Sequence, residues 1–342
     1  MSTELNYVTP FSEIATESIG FLWEPYFIRG KLNIMQGDPG DGKSYMSLKF
    51  AADLSRGNPW PGQTEHRDPE NALVITGEDG YGDTMKPRLE GLGADMNRVF
   101  TLRLEGTGEE ARIAKRVVID ADGLKKMAGA MAEIKPALVV LDPITSFLSE
   151  KVNMGAANEV RAALGRLAGL AERYDTAVII IAHMNKDNTK RALYRVLGSI
   201  DFMCIVRSGV CVVKDPVSSN NEITHGTMAH LKHNLTRRGE ALEYEIDDKG
   251  FRWGDATDAT ADDLMEPGPT DKKQTVRAIK FLREVLEKCE WKNQPLRQAA
   301  DERGIGWPAV RRAQQQLNIK PEEVRDKKTG RIQYWIWRLP PS

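Results

Sequence analysis

The fold of this chain is decided by the stretch Gly37-Asp38-Pro39-Gly40-Asp41-Gly42-Lys43-Ser44. It matches the pattern G-x-x-x-x-G-K-[ST], in which glycines let the backbone curl and point its N–H groups at phosphate oxygens. The apolar segment Lys31 to Gln36 before it predicts a strand, and the segment Lys43 to Ser55 after it predicts a helix. A chance glycine-rich loop is the alternative, and it would not require both flanking elements. The sequence therefore predicts a phosphate-binding loop.

The loop also predicts what it holds. Lys43 is expected to contact the β and γ phosphates of a nucleotide, and the Ser44 hydroxyl is expected to ligate Mg²⁺. The sequence has no clear guanine-reading motif, which favours ATP as that nucleotide. The predicted nucleotide-binding residues are Gly37, Asp38, Pro39, Gly40, Asp41, Gly42, Lys43, Ser44 and Tyr45.

Two acidic residues that follow apolar segments are predicted to complete the site. The run Leu138-Val139-Val140-Leu141-Asp142 is a hydrophobic strand ending in a carboxylate, the Walker B arrangement, which makes Asp142 the second magnesium ligand. The alternative is a strand-terminal Asp that caps the next helix. Glu78 follows the apolar segment Ala72 to Thr76 and is predicted to orient and polarise the attacking water, with Asp79 as the alternative.

A histidine ends a further apolar segment. In Val178-Ile179-Ile180-Ile181-Ala182-His183 the apolar residues predict a strand, and His183 stands at its end. A residue in that position is expected to sense the γ-phosphate. The alternative is a histidine with a structural role only.

Short apolar runs alternate with helical patterns, which predicts an α/β fold with a mostly parallel central sheet. The predicted strands are Lys31 to Gln36, Ala72 to Thr76, Ala137 to Leu141 and Ala177 to Ala182, and the helices between them are Lys43 to Ser55, Leu124 to Ile134 and Ala156 to Tyr174. After Arg195 the pattern becomes β-rich, and these stretches are expected to complete one edge of the sheet. The first domain is predicted to cover residues 1–253.

A second, smaller domain is predicted at the C-terminus. Residues 254–270 have little periodicity and are rich in Asp, Ala, Thr, Pro and Gly, which indicates a linker. Residues 271–342 then show three helical segments and a closing strand, the outline of a winged helix. Between Gly268 and Ser342 there are 17 Lys or Arg against 9 Asp or Glu, a net +8 on a chain of net −1. A basic small domain on an acidic body suggests a polyanion as partner, or a solvated basic surface.

The motifs together resemble those of the RecA-like ATPases typified by plasmid replicative helicases of the RepA type, which are related to the hexameric DnaB helicases. The matching segments are Gly30-Lys31-Leu32, Gly37 to Ser44, Thr76-Gly77-Glu78-Asp79, Leu141-Asp142-Pro143, Ala182-His183-Met184-Asn185-Lys186, Leu197-Gly198-Ser199 and Arg207-Ser208. They span roughly Phe21 to Trp253. The resemblance implies a ring, usually a hexamer, with nucleotide between subunits.

In such a ring, cations from a neighbouring subunit complete each site. The resemblance makes Arg207 the candidate arginine finger and Lys232 the candidate second trans-acting cation, both offsetting charge on the transferred phosphoryl group. The alternative for each is a surface salt bridge.

The resemblance also implies that two loops grip single-stranded DNA. The loops in question are Ser149 to Asn158 and Asn185 to Arg195, and the second contains the cations Lys186, Lys190, Arg191 and Arg195. A solvated charged face is the alternative. In the small domain, Arg311 and Arg312 are predicted to contact DNA, although winged helices also dock proteins.

Composition sets the remaining limits. With 41% hydrophobic and 28% charged residues and no long apolar run, the chain is typical of a globular protein, and we expect a cytoplasmic protein without a membrane partner. The leading functional hypothesis is an ATP-driven motor on single-stranded DNA, a homohexameric replicative helicase of a plasmid, phage or integrated element. The alternative is a nucleotide-switched replication initiator, loader or regulator.

Overall fold

The computed structural model describes residues 8–102, 117–148, 157–184, 201–215, 224–265, 272–325 and 332–340. The strands in these residues are β1 (Phe21–Trp23), β2 (Phe27–Ile28), β3 (Leu32–Gly37), β4 (Ala72–Thr76), β5 (Val99–Phe100), β6 (Leu138–Asp142), β7 (Ala177–His183), β8 (Ser208–Lys214), β9 (Thr224–His233), β10 (Ala241–Asp247), β11 (Gly250–Thr257), β12 (Trp291–Lys292), β13 (Glu322–Arg325) and β14 (Ile332–Trp337). The helices are α1 (Lys43–Arg56), α2 (Lys86–Gly91), α3 (Ala121–Ile134), α4 (Ala157–Arg173), α5 (Asp201–Ile205), α6 (Ala261–Met265), α7 (Lys272–Leu286), α8 (Asn293–Glu302) and α9 (Trp307–Gln316).

A mixed sheet of nine strands forms the centre of the described part of the chain. Its order is β11-β10-β9-β8-β3-β7-β6-β4-β5. Neighbouring strands pair in parallel along the series β8, β3, β7, β6, β4 and β5. Strands β9, β10 and β11 add an antiparallel edge beside β8. The predicted α/β P-loop core is confirmed, including the β-rich completion of one edge.

The central strands are buried along nearly their whole length, because helices cover both faces of the sheet. Every residue of β6 is buried, as are the first six residues of β7. Helix α1 packs on one face with the inward side chains of β3 and β8, whereas α3 and α4 pack on the other face. Because these strands run parallel, their carboxyl ends lie together at one end of the sheet. The loop after β3 lies at that end.

An aromatic cluster holds the sheet's antiparallel edge against α1. The Trp23 ring lies 5.5 Å from that of Phe50 in α1 and 5.7 Å from that of Trp253 in β11, measured between centroids. The Phe50 and Trp253 rings are stacked at 5.9 Å. Such pairs stabilise beyond the area they bury. The cluster therefore fixes the β10–β11 hairpin beside the helix that follows the phosphate loop.

The first structural unit extends beyond the predicted boundary at residue 253. Strand β11 continues to Thr257, and α6 follows, with Ala259, Ala261 and Met265 buried in a small cluster with residues of β8 and β9. The sequence suggested a linker here because α6 has only five residues, too few to show helical periodicity. The segment Gly254 to Met265 therefore belongs to the first unit and packs on it through buried residues such as Ala259 and Met265.

The C-terminal elements form a cluster of their own. Helices α7, α8 and α9 pack with an antiparallel sheet in the order β12-β14-β13, around the buried rings of Trp307 and Trp337, whose centroids are 5.5 Å apart. Two ion pairs join this cluster to the core: Arg297 with Asp263 at 2.5 Å, and Arg311 with Asp258 at 3.2 Å. No described helix combines the length and the apolar character needed to cross a bilayer.

The two predicted DNA contacts of α9 are engaged inside the protein. The Arg311 side chain is 17% exposed, held by Asp258 and by the Gln314 side chain at 2.8 Å. The half-buried Arg312 donates from Nε to the Thr275 hydroxyl at 3.1 Å. Packing of α9 against the core and α7 turns these cations inward, which argues against the predicted contact with DNA.

Candidate nucleotide-binding site

Glycines shape the loop between β3 and α1. Gly40 and Gly42 have φ of +86° and +83°, in the left-handed region that favours glycine. A Cβ on Gly37 would lie 2.3 Å from the Val212 carbonyl oxygen in β8, and one on Gly42 would lie 2.6 Å from the Ile246 side chain in β10. The loop can follow this path only with glycine at these positions.

The Lys43 side chain folds back over the loop that precedes α1. Its side chain is buried, and Nζ donates to the Asp38 carbonyl oxygen at 2.7 Å. Burial lowers the pKa of Lys43, while the nearby carboxylates of Asp41 and Asp142 favour the charged form. The ammonium group thus lies across the loop, and its contact with phosphates stays a prediction.

Two contacts that stabilise the loop, made by Asp41 and Tyr244, were not predicted from the sequence. The buried Asp41 carboxylate accepts the Asp38 N–H at 2.7 Å, and burial raises the pKa of Asp41 to about 6. The Tyr244 hydroxyl in β10 donates to the Asp41 carbonyl oxygen. Tyr244 is 203 residues further along the chain, and no pattern near it pointed to the loop.

The two predicted magnesium ligands are brought together. A hydrogen bond joins the Ser44 hydroxyl to the Asp142 carboxylate at the end of β6, and burial raises the pKa of Asp142 to about 6. A hydroxyl and a carboxylate are oxygen ligands of the kind Mg²⁺ takes beside nucleotide phosphates. Ser44 and Asp142 would hold such an ion, which would neutralise charge on the phosphates.

Glu78 and Asp79 differ in their surroundings. The Thr76 hydroxyl accepts both of their backbone N–H groups, at 3.3 and 3.1 Å, which forms a tight turn after β4. Both carboxylates act electrostatically on Asp142, but the Asp79 carboxylate pairs with Arg88 at 3.1 Å, whereas Glu78 is exposed and also acts on Lys43. This arrangement favours Glu78 as the group that activates water, and the assignment stays a prediction.

His183 lies beside the loop. It ends β7 opposite Gly37 in the register, and its Nδ1 is buried with no hydrogen-bond partner among the described residues. Burial and the charge of Lys43 lower the pKa of His183, which favours the neutral ring. A buried, unpaired ring nitrogen at this edge is what a phosphate-sensing side chain would provide.

Arg207 and Lys232 lie toward the other ends of the strands, away from the phosphate loop. The Arg207 N–H donates to the Leu32 carbonyl at the start of β3, and Lys232 pairs in register with Gly209 and donates from Nζ to the Met203 carbonyl. The loop follows the far end of β3, which is about 17 Å beyond Leu32, the level of Arg207, at about 3.3 Å per residue. Lys232 is level with Ile34, about 10 Å short of that end, and it lies two strands to the side of β3. Neither cation can reach the nucleotide of its own chain.

The predicted DNA-binding loops lie largely outside the described residues. This applies to Lys186, Lys190, Arg191 and Arg195, and to residues 149–156 of the other loop. Their contact with DNA stays a prediction.

The buried Asp142 makes stability depend on pH. In the folded chain this carboxyl keeps its proton up to about pH 6, whereas its ordinary pKa is 3.8. The folded state binds more protons between these values, so nucleotide-free protein loses stability as pH rises from about 4 to about 6. Asp142→Asn is expected to raise the free energy of unfolding by about 2–3 kcal/mol at pH 7 and hardly at pH 4.

Urea unfolding of the metal-free protein at several pH values measures this effect. Asp122→Asn is the matched control, because Asp122 is an exposed carboxylate paired with Lys126 at 3.0 Å, and it should change stability by less than about 1 kcal/mol. A pH-independent difference between Asp142→Asn and the unaltered chain would contradict the prediction.

Comparison with known proteins agrees with this geometry. Residues 12–189 match the family described as AAA domain. Over 164 residues the chain is 25% identical to DNA repair protein RadA of Streptococcus pneumoniae and 23% identical to that of Bacillus subtilis. Each match covers 47% of this chain, with 32% and 30% of the respective relative. The chain thus spans about a third of the length of these relatives.

Proposed function

The chain belongs to the AAA-domain family of RecA-like P-loop ATPases, and from this premise we propose that it is an ATP-driven motor on single-stranded DNA. In this proposal it assembles as a homohexameric ring and serves as a replicative helicase of a plasmid, phage or integrated element. The observation that carries the proposal is the separation of Arg207 and Lys232 from the chain's own phosphate loop. Cations so placed can serve a nucleotide only in another subunit.

In this proposal each part of the hydrolysis step is assigned to a residue of the chain. Lys43 would hold the β and γ phosphates, Ser44 and Asp142 would hold Mg²⁺, and Glu78 would take the proton of the attacking water. Arg207 and Lys232 of the preceding subunit then offset the charge that develops on the γ-phosphoryl group. Because hydrolysis in one subunit needs its neighbour, the sites can act in turn and move a strand through the ring.

Single-stranded DNA is the proposed track. The support is the set of four cations Lys186, Lys190, Arg191 and Arg195 in the loop after β7, together with the names of the RadA relatives, which are DNA repair proteins. Cations at such spacing neutralise successive phosphates, so we expect binding that weakens steeply with salt.

Steady-state ATP hydrolysis, measured with and without single-stranded DNA, tests the proposal. Strong stimulation by the DNA, together with separation of a forked duplex in the presence of ATP, is the expected result. Protein that binds the DNA and hydrolyses ATP but separates no strands would contradict the helicase assignment. A particle mass other than six chains in the presence of nucleotide would contradict the hexamer.

A nucleotide-switched DNA-binding protein is the second candidate. We propose that the C-terminal elements form a winged helix, supported by three helices with a three-stranded antiparallel sheet. Strand β10 could couple the phosphate loop to the C-terminal elements. Tyr244 contacts the loop, and its neighbour Glu243 interacts electrostatically with Arg311 in α9. In this case turnover stays slow with saturating single strands, and affinity for duplex DNA or a replication protein differs between ATP and ADP.

A further inference from the structure

A buried polar cluster joins β8, which directly follows Arg207, to β9, which carries Lys232. Ser208 is 0% exposed and His230 is 4% exposed. The Ser208 hydroxyl lies 3.0 Å from His230 Nε2 and donates to the Tyr26 carbonyl oxygen at 2.5 Å. A serine beside a histidine can be a nucleophile with its base, but this pair has no access to solvent. The cluster must therefore act through its neighbours.

Hydrogen bonds fix the protonation state of His230. The Gly239 N–H donates to Nδ1 at 2.9 Å, so Nδ1 is the acceptor and the ring proton is on Nε2. Nε2 then donates to the Ser208 oxygen, and the Ser208 hydroxyl donates to the Tyr26 carbonyl oxygen. Burial lowers the pKa of His230 to about 4, and this pattern therefore holds at neutral pH.

The cluster lies beside an irregularity in the pairing of β8 with β9. Gly209 pairs with Lys232, but the next residue, Val210, pairs with His230, which leaves Leu231 as an extra residue in β9. Such bulges change the direction of the side chains beside them. The Ser208 hydroxyl also lies 3.3 Å from the Lys232 carbonyl oxygen, so it contacts both strands at the bulge.

Both cations adjoin this cluster in sequence or space. Arg207 directly precedes Ser208, and its exposed side chain lines an open groove of about 640 Å³ together with Arg161 and Cys204. Its backbone carbonyl accepts the Asn234 N–H at 3.2 Å. The direction in which the guanidinium leaves the sheet is thus set by the backbone at Arg207 and Ser208.

We propose that Ser208 and His230 are positioning residues that aim Arg207 and Lys232 at the nucleotide of a neighbouring copy of the chain. This inference rests on the proposed function, because it assigns both cations to another subunit's site. The buried hydroxyl and imidazole hold the bulge in one conformation. Loss of either group lets the backbone beside both cations shift, and a displacement of about 1 Å costs up to about a hundredfold in rate.

Ser208→Ala is the first variant to test. We expect kcat for ATP hydrolysis to fall about 10- to 100-fold while KM for ATP stays within about twofold, because the variant's own phosphate loop is intact. Ser55→Ala is the matched control: Ser55 is also buried, donates to the Ala52 carbonyl at 2.7 Å and accepts the Asp95 N–H at 2.8 Å, far from both cations. Its kcat should be unchanged. An unchanged kcat in Ser208→Ala would overturn the proposal.

Mixed assemblies separate positioning from damage to the fold. Ser208→Ala chains are co-expressed with Lys43→Ala chains, which cannot hydrolyse ATP but carry an unaltered Arg207. Hydrolysis severalfold above that of either variant alone is expected, because Ser208→Ala sites then receive a well-placed cation. Should Ser208→Ala not fold, as judged by thermal unfolding, His230→Gln replaces it in the same mixture.

A reference mixture of Arg207→Ala with Lys43→Ala distinguishes failure of the positioning role from failure of the contact between subunits. Recovery in the reference mixture without recovery in the Ser208→Ala mixture would overturn the positioning role alone. Absence of recovery in the reference mixture would overturn the assignment of Arg207 to the neighbour's site, and the positioning inference with it.

Discussion

Glu78→Gln is expected to lower the rate of ATP hydrolysis by about 10²- to 10⁴-fold, the usual contribution of a positioned general base. The amide keeps the size of the side chain and loses its ability to take a proton from water. Glu78 is exposed and precedes Asp79 in a turn held by the Thr76 hydroxyl, so the fold should tolerate the change. Nucleotide affinity should stay within a few-fold, because Lys43 and Ser44 are unaltered.

Asp79→Asn is the matched control for this substitution. Asp79 is the next residue and also a carboxylate, but it is paired with Arg88. Single-turnover hydrolysis and binding of a fluorescent ATP analogue, measured on both variants, separate chemistry from affinity. A loss confined to Asp79→Asn would move the base to Asp79, and a loss of binding in Glu78→Gln would assign Glu78 to holding the nucleotide.

Arg207→Ala is expected to lower kcat about 10³-fold, the lower end of what an arginine finger contributes. The physical reason is the loss of a cation opposite the charge that builds up on the γ-phosphoryl group. Nucleotide affinity should change little, since Arg207 lies beside the start of β3 and its own chain's phosphate loop follows the end of β3. ATP hydrolysis under conditions in which the ring has formed measures the effect.

Arg161→Ala supplies the control for this second prediction. Arg161 in α4 is exposed and lines the same groove as Arg207, but it lies on a helix, whereas Arg207 directly precedes β8. Its loss should change kcat less than about threefold, as for an exposed cation outside the reacting geometry. Equal losses in the two variants would indicate a general effect of the groove's charge rather than a specific contact by Arg207.

The sequence by itself determined the parts of this protein whose signal is local. The loop from Gly37 to Ser44, the strand ending at Asp142 and the alternation of strands with helices each depend on a few consecutive residues. Backbone curvature, strand propensity and burial act over that same range. The α/β P-loop core followed from these patterns, and the structure confirms it.

Features that depend on distant segments were decided only by the tertiary structure. Tyr244 in β10 donates a hydrogen bond to the loop, and Arg311 forms an ion pair with Asp258. Neither contact could be predicted from the residues that neighbour Tyr244 or Arg311 in the sequence. The first unit extends to Met265 because a five-residue helix packs on the sheet. The physical reason is the same in each case: which side chains meet across the sheet depends on strand order and register, and no single stretch of sequence encodes either of them.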